Sequence, residues 1–300
     1  MIQELDEARI IFDDQSQVIL NITLATFMLV VALGITVDDF KNLLRKPKLV
    51  LIGIVSQFVL LPLLTFGLVL LIEPQPSIAL GMMLVAACPG GNVSNFLTHL
   101  AKGNSALSVT LTAFATFMAM FMTPINFSFY GNLYEPTAAI LKTVSLDPFE
   151  LAKLVIIILG IPLVIGMFIR NRNPKIADRL SKILKPISVI AFIAIIVFAF
   201  ANNYEVFEKF IHHVISIGIV HNLLAILLGF TVAKLFRLSL NNRKTIAIET
   251  GIQNSGLGLI LIFAFFDGLG GMTVLVAFWG IWHNISGLLL ASYWSKKTSN

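Results

Sequence analysis

The stretch AIETGIQNSGLGL, residues 247–259, sets a carboxylate, two amides and a hydroxyl (Glu249, Gln253, Asn254, Ser255) inside a long apolar tract. On both sides the chain reads as a hydrocarbon-spanning helix, from 245 to 266. A charge at the bilayer centre costs ~2.5–3.5 kcal/mol on insertion scales, so an acid there marks a functional position by default. Snorkelling beside Lys244, five residues away, is the plain alternative. The polar run that continues deeper into the segment argues against it. The tract reads as a membrane helix broken over 249–256.

A second interruption lies in the other half: CPGGNVSNFLTH, residues 88–99. Pro89 removes a backbone donor, and Gly90 and Gly91 free the dihedrals. The twelve residues before it, 77–88, are too few to span a bilayer. Asn92, Ser94, Asn95 and Thr98 follow. The segment reads as two half-helices meeting at an unwound crossing over 88–92. Irregular backbone at membrane depth is tolerated only where protein or a watery cavity surrounds it.

The rest of the chain fits this frame. Its 300 residues are 57% hydrophobic and 12% charged, with a mean hydropathy of +0.90. That excludes a soluble domain and implies a polytopic, all-α membrane protein. Nine segments are apolar enough to span: 18–36, 49–72, 77–101, 105–130, 151–169, 186–201, 210–234, 245–266 and 271–294. Residues 1–17 form an acidic extracytoplasmic segment, with Glu4, Asp6, Glu7, Asp13 and Asp14 against the single Arg9, unlike the positive region that opens a secretory signal. With the amino terminus outside, 17 of the 21 basic residues fall on the inner side, including Lys41, Arg45, Lys46 and Lys48 of the first loop and the run from Arg170 to Lys185. Only Arg9, Lys142, Lys153 and Lys209 lie outside. Asp13 is among twelve external acids, Asp38, Asp39 and Asp178 are internal, and Glu249 alone is in a span. Positive-inside asymmetry therefore puts the carboxyl terminus in the cytoplasm. The net charge of +5 orients the chain in the cell inner (plasma) membrane and is no nucleic-acid face. No obligate protein partner is evident, and the single Cys88 excludes an internal disulfide.

The broken segments are the third and the eighth, five helices apart, so they run in opposite directions. That is the mark of inverted-topology repeats, the plan of many secondary transporters. A first repeat of four helices covers 18–130, an external linker 131–150 and a second repeat of five helices 151–296. Neighbouring helices carry mid-span polar residues: Gln57, Ser108 and Thr112 in the first half, His221, Asn222, His283, Asn284 and Ser286 in the second. An intramembrane enzyme would need paired aspartates, a Ser–His pair or HExxH; one membrane acid fits none of these. A channel would usually build a filter from repeated rings.

Three motifs carry a family resemblance: CPGGNVSNFLTHLAKGNSALSVTLT (88–112), IETGIQNSGL (248–257) and WHNISGLLLASYW (282–294), with weaker matches at LGITVDDF (33–40) and SQF (56–58). The chain resembles the bile acid:sodium symporter family, as a bacterial homologue of the apical sodium-dependent bile acid transporter. The resemblance implies a core domain and a panel domain, with the broken helices crossing in the core. It implies one sodium site from Ser94, Asn95, Ser108, Thr112 and Glu249. A second would use Gln57, Glu249, Gln253 and the carbonyls of Thr250 and Ile252. The substrate would sit near Asn92, Val93, Asn254, His283 and Asn284, where half-helix amino termini suit an anion. Two sodium ions would act as coupling ions, with no other cofactor. The implied activity is sodium-coupled import of an organic anion by alternating access, either a bile-acid-like amphipath or a small carboxylate such as pantoate or a 2-keto acid. A proton-coupled anion carrier using Glu249 is the alternative. Family members often have Thr where this chain has Asn92, and ten-helix members have an opening helix that this chain lacks.

Overall fold

A computed structural model describes residues 2–10, 14–36, 38 and 47–297. Asp13, Asp39, Lys41, Arg45, Lys46 and most of the 33–40 motif's acidic end lie outside the described residues. The described residues are mostly helical, without a named strand. Among the described residues, seven helices are long and apolar enough to cross a membrane. In hydrocarbon every backbone group must be satisfied internally, and a helix does this within one segment.

In chain order the helices are α1 (Ile2–Glu7), α2 (Asp14–Ala32), α3 (Pro47–Ile72), α4 (Pro76–Ala87), α5 (Val93–Leu100), α6 (Ser105–Leu133), α7 (Glu135–Val144), α8 (Pro148–Arg172), α9 (Pro174–Asn202), α10 (Tyr204–Leu235), α11 (Leu240–Gly251), α12 (Ser255–Phe265) and α13 (Gly270–Lys297). The short apolar helices α4 and α12 are buried along nearly their whole lengths. α3, α6, α10 and α13 pack around the two broken segments, whereas α2 packs mainly on α8 and α9, and α8 also packs against α6. α9 rests chiefly on α2 and leaves most of its apolar surface exposed.

Several boundaries differ from the sequence reading. The second break spans only Ile252–Asn254, since Glu249, Thr250 and Gly251 end α11 and Ser255 already opens α12. Gln253 therefore lies past the end of α11. The cause is tertiary: the break's backbone pairs with the other break instead of continuing its own ladder. The run 175–185, expected between spans, is helical and continuous with α9 through Pro186. Hydropathy cannot see a helix of basic residues. Proline costs only one intrahelical bond there, and Ser188 Oγ donates to the Lys185 carbonyl at 3.0 Å. The external linker contains a helix, α7, and the first span ends at Ala32 rather than at 36.

Two helices carry a π-turn just before a proline, Ser56–Leu60 in α3 and Ile156–Gly160 in α8. In α3 the Leu61 N–H reaches back five residues to Ser56. Pro62 offers no N–H to the Phe58 carbonyl, and Asn126 Nδ2 of α6 donates to it at 2.8 Å instead. The extra residue turns Ser56 and Gln57 toward α11, and π-turns of this kind often mark functional positions.

The amino-terminal residues are pinned to one end of the bundle. Ile10 N donates to the Gly268 carbonyl and Gly270 N to the Ala8 carbonyl, both at 2.8 Å, and Leu5 and Ile10 are buried. Asp6 Oδ1 accepts the Ser77 N–H at 2.9 Å, one of the unpartnered donors in the first turn of α4. Replacing a carboxylate at such a position with alanine costs ~1 kcal/mol. Asp6→Ala should lower the thermal midpoint measurably while leaving ligand affinities unchanged. A thermal-shift assay checks both.

Candidate functional site: the crossing of two broken helices

The two breaks are joined through their backbones. Gly90 and Gln253 form an antiparallel bridge. Gly91 N donates to the Ile252 carbonyl at 2.7 Å, and Asn254 N donates to the Pro89 carbonyl at 2.8 Å. The half-helix ends, which leave carbonyls without intrahelical donors, are satisfied by side chains from neighbouring helices. Thr123 Oγ1 donates to Ala87 at 2.7 Å, and Asn222 Nδ2 donates to Gly251 at 2.7 Å. Lys244 Nζ donates to Ala101 at 2.9 Å, closing α5. Asn254 Oδ1 accepts from Leu257 N at 3.1 Å and caps α12. The crossing is thus irregular yet paired, as a buried backbone must be.

Glycine is required where the breaks touch. A Cβ on Gly91 would lie 2.9 Å from the Gln253 carbonyl oxygen, and one on Gly90 would lie 2.8 Å from Gln57 Nε2 and 3.2 Å from Glu249 Oε2.

Glu249 sits beside this junction with 2% of its surface exposed. Its Oε1 accepts from Ser94 Oγ at 2.7 Å and from Ser108 Oγ. Thr112 Oγ1 is 3.2 Å from Oε2 and 3.4 Å from Asn95 Oδ1. α5, α6 and α11 therefore bring together all five residues of the first predicted ion site. At the second, Gln57 Nε2 donates to the Glu249 carbonyl at 3.4 Å, and Gln253 Nε2 donates to the Thr250 carbonyl at 2.7 Å. The Gln253 Oε1 is buried without any hydrogen-bond partner. An unsatisfied buried amide oxygen costs ~1–3 kcal/mol, and a cation there would remove that cost. The donor set is oxygen alone (carboxylate, hydroxyl, amide and carbonyl), which suits a hard cation.

The five predicted substrate residues, Asn92, Val93, Asn254, His283 and Asn284, line one cavity of about 550 Å³. Its far wall is apolar, with Leu24 and Phe27 from α2 and Val189, Ile193 and Val197 from α9. The Nδ1 of the buried His283 has no hydrogen-bond partner. Asn284 Nδ2 is committed to the Gly280 carbonyl at 2.6 Å. α5 and α12 both begin here. Amino-terminal N–H groups and dipole ends therefore face the cavity.

A model described as the sodium bile acid symporter family matches residues 21–210. The chain belongs to that family. A relative in Bacillus subtilis (strain 168), named "uncharacterized sodium-dependent transporter YocS", is 39% identical over 278 residues, which is 93% of this chain and 83% of its own. The Arabidopsis thaliana protein named "probable sodium/metabolite cotransporter BASS1, chloroplastic" is 29% identical over 90% of this chain and 65% of its own. The "sodium/bile acid cotransporter 4" of Mus musculus is 31% identical over 74% of this chain and 51% of its own. The chain thus spans under two thirds of the plant relative's length and about half of the mouse one's. Within the family these names are those of transporters, and this chain is a membrane-embedded transport protein rather than an enzyme.

Reading for cation ligands missed several residues of the family member's crossing. Thr98 Oγ1 accepts from Ser108 Oγ at 3.3 Å, and Ser56 Oγ lies 3.0 Å from Thr250 Oγ1. Asn222 accepts from Ser286 Oγ at 2.6 Å while it donates to Gly251, so it connects α10, α11 and α13. Mid-span polarity marked Asn222, Thr98 and Ser286, but nothing in one sequence ties them to particular carbonyls.

Proposed function

We propose that this chain is a sodium-coupled symporter that imports an organic anion by alternating access. The observation that carries the reading is one buried carboxylate, Glu249, standing between two clusters of oxygen ligands at a helix crossing. One sodium ion is held by Ser94, Asn95, Ser108, Thr112 and Glu249. The other is held by Gln57, Glu249, Gln253 and the carbonyls of Thr250 and Ile252. Each of those two carbonyls accepts one hydrogen bond and keeps a second lone pair for the ion. The anion is held at Asn92, Val93, Asn254, His283 and Asn284. Sodium ties the two breaks together and so shapes the anion site. By linkage, the anion then raises sodium affinity by the same factor.

In this reading nine spans form two inverted repeats, 18–130 and 151–296, with α7 in the external linker. α4 and α12 complete the third and eighth spans as half-helices. α2, α8 and α9 form the panel that rocks against the core. The amino terminus is extracytoplasmic and the carboxyl terminus cytoplasmic, in the cell inner (plasma) membrane. The support is the basic asymmetry of the sequence together with the packing of α2 on α8 and α9.

The test is a thermal-shift screen of purified protein against pantoate, 2-keto acids and bile acids at one fixed pH, each in sodium and in potassium. A ligand stabilises by RT ln(1 + [L]/Kd), about 2.7 kcal/mol at a hundredfold excess over Kd. Stabilisation by an anion in sodium but not in potassium is expected. Equal stabilisation in both salts would mean that sodium is not the coupling ion, and a change in that stabilisation on repeating the screen at a second pH would assign the coupling to a proton on Glu249.

A further inference from the structure

Two cavities meet at the start of α5. The one at the crossing, about 550 Å³, is joined by a second of about 570 Å³ that shares Phe27, Asn92, Val93 and Val189 with it. The second runs between α2, α5, α6 and α9, and its walls are mostly apolar, with Val30, Ile35, Phe96 and Val109 among them. Among the described residues lining the two cavities, Lys185 is the sole Lys, Arg, Asp or Glu. It lies on α9, one residue before Pro186, is exposed, and forms no ion pair among the described residues. The joined space therefore has anion-receptive groups at two places. One is the crossing, with its half-helix amino termini, and the other is the Lys185 ammonium. Apolar side chains lie between.

We propose that Lys185 is a second anion anchor, and that the transporter prefers an elongated dianion to a monoanion of the same length. One carboxylate sits at the crossing, the aliphatic middle lies along Phe27, Val93 and Val189, and the second carboxylate meets Lys185. This rests on the reading of the crossing as the anion site. An exposed ion pair contributes up to about 1 kcal/mol, so the preference should be about fivefold. It should appear only for molecules long enough to reach both places, because a short dicarboxylate held at the crossing leaves Lys185 unpaired.

The experiment measures dissociation constants of succinate, suberate and sebacate, and of their monomethyl esters, with the purified full chain in fixed sodium. Wild type, Lys185→Gln and Lys185→Arg are compared. Wild type and Lys185→Arg should bind sebacate about fivefold tighter than its monomethyl ester and show no such preference within the succinate pair. Lys185→Gln should lose the sebacate preference and keep wild-type affinity for the monomethyl ester, a readout that misfolding would not spare. If Lys185→Gln retains the preference, Lys185 serves membrane orientation only and the proposal is overturned. If wild type shows no sodium-dependent affinity for any of the six compounds, the anion reading of the crossing fails and the proposal with it. The two failures differ in whether the monomethyl esters still bind.

Discussion

In a Glu249→Ala protein, sodium should no longer alter substrate affinity, while the chain still folds and inserts. Glu249 is the only carboxylate within the nine apolar segments of the sequence, and it accepts hydrogen bonds from Ser94 and Ser108 of two other helices. Hydroxyl donors ease an anion's burial, but they leave its charge uncompensated. Two flanking cations would compensate it, with the hydroxyl and amide oxygens completing their shells. Removing one partner of a buried charge pair costs ~3–5 kcal/mol, because the other charge is left without compensation. Sodium affinity should therefore fall more than a hundredfold, by the usual 1.4 kcal/mol per tenfold. Folding should survive, since the crossing's own backbone pairing does not use the carboxylate. Substrate titrated at rising sodium against the purified variant gives the answer. A folded variant with the wild-type sodium response would remove Glu249 from the ion sites.

Gly90→Ala should be nearly as damaging, for a steric reason. The new methyl would lie 2.8 Å from Gln57 Nε2, 3.2 Å from Glu249 Oε2 and 3.3 Å from the Glu249 carbonyl oxygen. Gln57 could swing away, but the Glu249 carbonyl belongs to the last turn of α11 and cannot. Overpacking of this kind costs ~1–3 kcal/mol. The methyl also fills the space between the carboxylate and the Gln57 amide, which the second sodium ion would occupy. Sodium-driven uptake should be lost, with a modest fall in thermal midpoint. Uptake at the wild-type level in a stable Gly90→Ala protein would show that no ion sits on that side of Glu249.

Much of this site could be read from residue types alone. A Pro-Gly-Gly in a hydrocarbon segment has few other uses, and an acid in a span must be compensated by something. Those two facts marked the crossing, and the polar residues around it supplied the oxygens. What sequence could not supply was decided by contacts between distant segments. The second break is three residues rather than eight because Ile252 and Asn254 pair with Gly91 and Pro89. Thr98 and Ser56 could equally have bonded to their own helices, as Thr116 does to Thr112. The helical course of 175–185 was hidden because basic residues lower hydropathy without breaking helices, and Pro186 looked like a boundary. The acidic amino-terminal segment gave no sign that Asp6 would reach Ser77, 71 positions away.

Equilibrium binding of radiolabelled sodium to purified protein tests most directly the proposal that Glu249 is shared by two sodium ions. The wild type should bind two ions per chain. Thr112→Ala and Gln253→Ala should each bind one, and Glu249→Ala none. A wild type that binds a single ion, or a Glu249→Ala protein that still binds two, would contradict the claim.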